Sequence, residues 1–131
     1  MSEEILVPVS PGEVIDKMTI LRIKRERISD PAKVANVQTE LALLEQTWRQ
    51  SRYAHADIAD DTAALQSVNE RLWVIEDEIR DEERAQRFGA RFIELARSVY
   101  IVNDERAHIK KRINLALGSA LIEEKSYAAY R

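Results

Sequence analysis

Three polar side chains interrupt an apolar helix face in the segment from Arg91 to Leu117. At 3.6 residues per turn, one face of this segment carries a row of apolar side chains: Phe92, Leu95, Val99, Val102, Ile109, Ile113 and Leu117. Asn103, Arg106 and Lys110 point toward the same side, at about 100° per residue. An arginine on a core-facing stripe is either paired with a carboxylate or positioned to bind an anion. The segment therefore predicts a polar site inside a helical bundle.

A second polar ribbon lies in the preceding helical segment, beside its expected core stripe. Four of its side chains follow one another in steps of three or four residues and so line one flank: Asn69, Trp73, Glu76 and Arg80. In a binding site, Trp73 would offer a stacking surface and Arg80 a ligand for an anion. Glu76 and the adjacent Asp77 would accept hydrogen bonds or bind a cation. The alternative is a row of boundary salt bridges, in which a Glu76–Arg80 pair contributes only about 0.2–0.5 kcal/mol.

Charged side chains also occur on the first predicted helix, which is apolar on most of its circumference. One face carries Val14, Met18, Leu21 and Ile28, while other sides carry Ile15, Ile20 and Ile23. Such a helix is central in a bundle or is buried by a second subunit, so its charges need partners. Two interpretations of Asp16, Lys17 and Lys24 are open. Either the lysines extend to water while Asp16 forms a structural salt bridge, or all three belong to the polar site.

The first functional hypothesis is a pocket between helices that binds a small phosphate- or carboxylate-bearing ligand, with hydrolase or transferase chemistry as one version. Its cations are Lys17, Lys24, Arg80, Arg106 and Lys110, and its amides are Asn69 and Asn103. Arginine and lysine bind such anions through charge-assisted hydrogen bonds, and amides add direction. The acids available as general bases or as ligands of Mg²⁺ are Asp16, Glu76 and Asp77.

The second functional hypothesis is a non-enzymatic helical module that forms a homodimer or docks on a partner protein. Buried polar side chains such as Asn103 and Arg106 can fix helix register and partner choice without binding a ligand. Specific catalytic motifs are missing from the sequence: there is no P-loop, no dinucleotide-binding glycine turn, no HExxH and no nucleophile elbow. His55 and His108 have no partner at metal-ligand spacing, so no metal site is predicted.

Composition restricts the class of protein further. At 131 residues the chain is long enough for one domain, 1–131, and too short for two ordinary ones. A net charge of −3 gives no electrostatic basis for binding nucleic acid or an anionic membrane. No apolar run approaches the ~20 residues of a membrane helix, and no signal peptide is visible. The absence of cysteine fits a cytoplasmic protein.

Start and stop signals divide the chain into four main helices, so we predict an all-α antiparallel bundle. The helices begin after caps at Ser10, at Asp30, at Asp60 or Asp61, and at Phe88–Gly89, and they end near Ile28, Ser51, Arg84 and Leu117. Ser10 and Glu13 predict a capping box at the first start. Gly89 is expected to take a left-handed conformation in its turn, and Gly118 to cap the last helix.

The two ends of the chain are predicted to be extended. The apolar run Ile5–Val9 is either a very short edge strand or an arm lying over the bundle, because Pro8 cannot donate to a strand ladder. The tail, Ser119–Arg131, has three open interpretations. It folds back over the bundle, reaches to a partner chain, or is flexible.

Apolar stripes and loop lengths predict how the helices pack. The stripes of the second and third helices are Val34, Val37, Leu41, Leu44 and Trp48, and Leu65, Val68, Leu72, Ile75 and Ile79. Only a few residues separate the third and fourth helices, so these two should form an antiparallel hairpin. In that hairpin, Asn69 and Trp73 lie at about the level of Asn103 and Arg106.

Several runs of sequence resemble a family of small uncharacterised bacterial proteins, over nearly the whole chain. They are VSPGEVIDKMTILRIKRERI, LWVIEDEIR, FIELARSVYIVNDERAHIKKRIN and GSALIEEKSY. A second uncharacterised bacterial family is distantly similar, through N-x-x-L-W-x-x-E-D-x-x-R from Asn69 to Arg80 and I-D-K-x-x-I-L-x-x-K from Ile15 to Lys24. These resemblances imply that the polar positions belong to one shared feature, and they imply no activity.

Overall fold

The computed structural model describes residues 3–130 and contains four helices. They are α1 (Pro11–Arg27), α2 (Pro31–Arg49), α3 (Ala59–Arg84) and α4 (Ala90–Ala116). No strand occurs within residues 3–130, so the all-α prediction is confirmed, and the described parts of both chain ends lack regular secondary structure. Arg131, the last residue of the predicted tail, lies outside the described residues. None of these four helices has both the length and the apolar composition needed to cross a bilayer.

α1 is the central helix of the bundle, because it packs against α2, α3 and α4. Its buried side chains Ile15, Met18 and Leu21 contribute to one core with residues of all three neighbours. The partners in that core are Val37 and Leu41 from α2, Leu65 and Val68 from α3, and Val102, Ile109 and Ile113 from α4. Contact on three sides explains why α1 is apolar on most of its circumference.

α3 and α4 form the predicted antiparallel hairpin. Three ion pairs between them run in opposite chain directions: Asp61–Arg112, Arg71–Glu105 and Glu78–Arg91. With 26 and 27 residues, both helices are longer than α1, which has 17. At 1.5 Å per residue they extend about 15 Å further than α1. The hairpin is thus the long element against which the shorter α1 is positioned.

Two of the predicted helix starts have the expected caps. The Ser10 hydroxyl oxygen accepts the Glu13 N–H at 3.2 Å, and Asp30 Oδ1 accepts the Ala32 N–H at 3.0 Å. The capping box at α1 is not closed as predicted, because the Glu13 carboxylate accepts from Lys110 on α4. A tertiary ion pair therefore replaces a local hydrogen bond at the start of α1.

Two predictions at the ends of α3 and α4 are wrong. The N-cap of α3 is Ile58, so Asp60 and Asp61 lie in its first turn. Their charge there complements the positive end of the helix dipole instead of capping it. The left-handed residue between α3 and α4 is Gln86, with φ of 57°, whereas Gly89 has φ of −87°. The chain reverses directly after α3 and not next to α4, which leaves Gly89 as an ordinary N-cap.

The two extended ends differ in their relation to the bundle. The arm, Ile5–Val9, is exposed along its length, so neither an edge strand nor an arm lying over the bundle is formed. α4 ends at Ala116 with Leu117, not Gly118, as its C-cap. Gly118 follows with the left-handed φ of 67° expected of a helix end, and the tail then runs back along α4. The contacts that hold the tail there are Lys110–Glu123, Lys111–Glu124, the Tyr130–Asp104 hydrogen bond and the Tyr100–Tyr130 ring contact.

α1 and α4 approach each other closely at Gly12. The Gly12 N–H donates to Asn114 Oδ1 at 2.7 Å, and Asn114 is almost completely buried. A Cβ atom at position 12 would lie 2.6 Å from the Lys110 carbonyl oxygen and 2.8 Å from Asn114 Oδ1. Both distances are shorter than a carbon–oxygen contact allows, so only glycine permits this spacing.

We predict that Gly12→Ala lowers the free energy of unfolding by about 1–3 kcal/mol, because α4 must move to admit the methyl group. Urea denaturation measures the change. Gly89→Ala is the matched control, since an added Cβ there meets no atom within 4 Å. Its effect should stay below about 1 kcal/mol, as is usual for glycine and alanine at an N-cap. Equal decreases in the free energy of unfolding for the two variants would show that the close approach of α1 and α4 at Gly12 does not contribute to stability.

Candidate functional site

The predicted polar site forms around the carboxylate of Asp16, which is fully buried. Arg106 Nε donates to Asp16 Oδ1 at 3.0 Å, and Arg106 Nη2 donates to Oδ2. Asn69 Nδ2 donates to Oδ1 at 2.9 Å. Both carboxylate oxygens therefore have donors, as a buried charge requires. α4 supplies the guanidinium and α3 the amide, so one side chain of α1 connects all three helices.

Thr19 completes the inner part of this network. Its hydroxyl donates to the Asp16 carbonyl oxygen at 2.8 Å and accepts from Asn69 Nδ2 at 2.9 Å. Thr19 is fully buried and Asn69 almost so. Within residues 3–130, every buried side-chain nitrogen or oxygen has a hydrogen-bond partner. Each fully buried polar atom of the inner network therefore has a hydrogen-bond partner within the protein.

Lys110 forms the outer part of the network. Its Nζ lies 2.6 Å from Glu13 Oε2, 3.3 Å from Glu123 Oε2 and 3.6 Å from Asp16 Oδ2. Together with Arg106, two cations thus face three carboxylates, and this excess of negative charge opposes the approach of an anion. The members of this Asp16 cluster are Glu13, Asp16, Thr19, Asn69, Arg106, Lys110 and Glu123.

The pKa directions agree with a charged, structural cluster. Burial acts to raise the pKa of Asp16, but hydrogen bonds from Arg106 and Asn69 outweigh burial and hold this pKa below its ordinary value of 3.8. The hydrogen bond to Asp16 raises the pKa of Arg106. Burial acts to lower the pKa of Lys110, yet the Glu13 carboxylate and its neighbours raise it above the ordinary value. All three groups stay charged near neutral pH, so none is poised for general acid–base catalysis there.

The ribbon on α3 does not join the Asp16 cluster beyond Asn69. Arg80 is exposed, and its guanidinium binds Glu76 one turn earlier, which matches the boundary salt bridge among the alternatives. Trp73 is half-buried beside them. Arg80 and Arg106 are bound to different carboxylates on different parts of the bundle. They therefore do not form the paired anion site that would bring both charges to one ligand.

Of the three acids that could act as bases or Mg²⁺ ligands, Asp16 lies apart from Glu76 and Asp77. Asp16 is bound in its cluster, Glu76 is paired with Arg80, and Asp77 is exposed. In the part of the chain that the structure describes, no group of three acidic, histidine or cysteine side chains is arranged to hold a metal ion. The geometry thus gives these acids no shared metal or proton-transfer site.

The remaining predicted site residues lie outside the cluster. Lys17 is exposed and Lys24 half-buried, and neither has an ion-pair partner among residues 3–130. Asn103 is half-buried and borders a cavity of about 830 Å³ between α4 and the tail. Binding of an anion by these three residues stays a prediction.

Reasoning from the sequence missed four polar side chains at or next to the cluster: Glu13, Thr19, Asn114 and Glu123. Asn114 follows Lys110 by four residues, so the same periodicity that identified Arg106 also reaches it. The local sequence around Glu13 predicts a capping box, which gives no sign of a partner on α4. Glu123 lies in the irregular tail, where no periodic signal is available.

Arg106→Ala should lower the free energy of unfolding by about 3–5 kcal/mol, because it leaves the buried Asp16 carboxylate without its main partner. Arg71→Ala is the control, since it removes an arginine from an exposed pair with Glu105. Arg71→Ala should lower the free energy of unfolding by at most about 1 kcal/mol. Urea denaturation compares the two variants. If Arg106→Ala lowers the free energy of unfolding no more than Arg71→Ala does, the Asp16 cluster contributes no more to stability than an exposed ion pair.

Acid should weaken the contribution of Asp16 to stability. A carboxyl group whose pKa is lowered by folding stabilises the folded state fully above its unfolded pKa, and the effect is lost as pH falls through the lowered folded pKa. For Asp16 the loss begins near pH 3.8 and continues below it. We therefore expect the difference in unfolding free energy between the wild type and Asp16→Asn to shrink on acidification. Urea titrations over a pH series test this, and a constant difference would contradict it.

A family model described as a family of unknown function, DUF6165, matches residues 5–130. The match runs from the arm through all four helices to the tail, and it includes the whole Asp16 cluster. No curated protein and no solved structure gives a significant match to the chain. Because the family model covers nearly the full length of the chain, this protein belongs to the DUF6165 family.

Proposed function

We propose that this chain is a non-enzymatic helical module that forms a homodimer through its exposed apolar arm. The observation that carries the proposal is the exposure of Ile5, Leu6, Val7 and Val9, which is 89%, 88%, 66% and 43%. Contiguous apolar side chains on a folded surface mark sites of protein association. We place the module in the bacterial cytoplasm, on the basis of the sequence resemblance and the absence of cysteine.

The backbone of the arm favours the same function. Residues 5–9 make no backbone hydrogen bond to the rest of residues 3–130, so their N–H and C=O groups are open to another chain. Pro8 lacks an N–H and keeps the arm out of α1. An extended, apolar segment of this kind binds partners by strand pairing or by insertion into a groove.

The Asp16 cluster gives the arm a rigid base. Gly12 bonds Asn114, and Glu13 bonds Lys110, directly after the Ser10 cap at which the arm ends. A fixed exit direction reduces the entropy that an extended segment loses on binding. The cluster therefore supports association without taking part in chemistry.

Anion binding is the less favoured function, because the predicted cations with the most suitable geometry are already neutralised. Arg106 is bound to Asp16, Lys110 to Glu13, and Arg80 to Glu76. The charges left for a ligand are those of Lys17 and Lys24.

Sedimentation velocity over a concentration series should give a dimer for the wild type and a monomer for Ile5→Asp/Leu6→Asp. The reason is that charged side chains cannot be buried at an apolar contact without partners. Circular dichroism should be unchanged, since the arm contributes nothing to the core. Leu43→Asp is the control, because Leu43 is an exposed apolar residue on α2 outside the arm. A monomeric wild type, or a dimer that survives the arm substitutions, would overturn the proposal.

A further inference from the structure

A groove lies between the tail and the outer face of α4, with a volume of about 830 Å³. Its lining includes Val99, Tyr100 and Asn103 from α4, and Tyr127, Ala128 and Tyr130 from the tail. Tyr127 is 80% exposed. The groove thus combines apolar surface with aromatic rings, which supply much of the binding energy of protein interfaces.

The tail wall of this groove has an open backbone. Residues 122–129 make no backbone hydrogen bond to other residues of the described chain. The tail is held to α4 by side chains alone, chiefly the Lys110–Glu123 and Lys111–Glu124 pairs. An extended segment with unpaired N–H and C=O groups accepts a second extended segment beside it.

We propose that this groove binds the arm of a second copy of the chain, so that two copies exchange arms about a two-fold axis. The inference rests on the homodimer proposed above and identifies the surface that the arm contacts. The lengths agree: the five residues Ile5–Val9 span about 17 Å when extended. The groove follows α4 from Val99 to His108, which is about 14 Å at the helical rise.

The arm begins near one end of the groove of its own chain but does not occupy that groove. The arm leaves the bundle at Ser10, close to the point where the tail crosses Lys110, because Lys110 contacts both Glu13 and Glu123. No described residue of the arm lines the groove of its own chain. A two-fold axis at this end of α4 would carry each arm to the groove of the other copy, and the contact would then be made twice. Two such contacts need only about 600 Å² each to reach the area of a specific interface.

Disulfide trapping between two differently substituted chains tests the inference, and the absence of cysteine makes the background low. A Leu6→Cys chain is mixed with an Ala128→Cys chain and oxidised. The expected product contains one copy of each chain and has about twice the mass of 15.1 kDa, and intact-mass spectrometry distinguishes it from the two symmetric disulfides. The control pairs Leu6→Cys with Gln46→Cys, an exposed position on α2. Linkage of the first pair should be at least about tenfold faster than that of the control, through its higher effective concentration.

The outcomes separate this inference from the function on which it rests. Equal rates for the two pairs, in a protein that sediments as an arm-dependent dimer, overturn the groove and leave the homodimer intact. A Leu6→Cys/Ala128→Cys chain that forms only an intramolecular disulfide shows that the arm folds onto its own groove, which also overturns the exchange. A wild type that sediments as a monomer overturns both proposals.

Discussion

Asp16 places a negative charge between three helices with none of its surface exposed. A buried carboxylate is tolerated only when donors reach both of its oxygens, and here Arg106 and Asn69 supply them from different helices. A shift of α3 or α4 by one turn, about 5.4 Å, would carry the donors away from the charge. Apolar contacts alone would tolerate such a shift far better. The ion pair therefore specifies which packing of the bundle is formed, even where its net contribution to stability is small.

The same cluster connects the two extended ends of the chain. Lys110 contacts Glu13 at the start of α1 and Glu123 in the tail, while Gly12 bonds Asn114 near the end of α4. The exit of the arm and the path of the tail are thus fixed by one set of polar contacts. Exposed apolar side chains lie on the arm and along the tail, next to the polar cluster and not within it. The polar residues that most suggest chemistry in the sequence instead fix the positions at which the apolar arm and the tail leave the bundle.

Helical periodicity was sufficient to predict the inward orientation of Arg106 and its level with Asn69, because both follow from residue spacing and a short hairpin link. The partner of Arg106 could not be predicted, since Asp16 lies 90 residues away and periodicity carries no information on which helices meet. Arg80 illustrates the opposite error. It lies on the same flank of α3 as Asn69, but its side chain remains in solvent and pairs locally with Glu76. The N-terminus of α3 is not predicted correctly, because aspartate is favoured both as an N-cap and in the first turn of a helix. The sequence alone does not distinguish these two positions for Asp60 and Asp61.

The separation of Asp16 and Arg106 along the chain has a consequence during synthesis. At about 5–20 residues per second, the ribosome adds Arg106 roughly 5–20 s after Asp16. Throughout that interval the Asp16 carboxylate lacks Arg106, its partner in the folded bundle, so it stays hydrated and does not enter an apolar core. Early, partial collapse around the first two helices is thereby discouraged. The nascent chain reaches its native packing only when the last helix has left the exit tunnel.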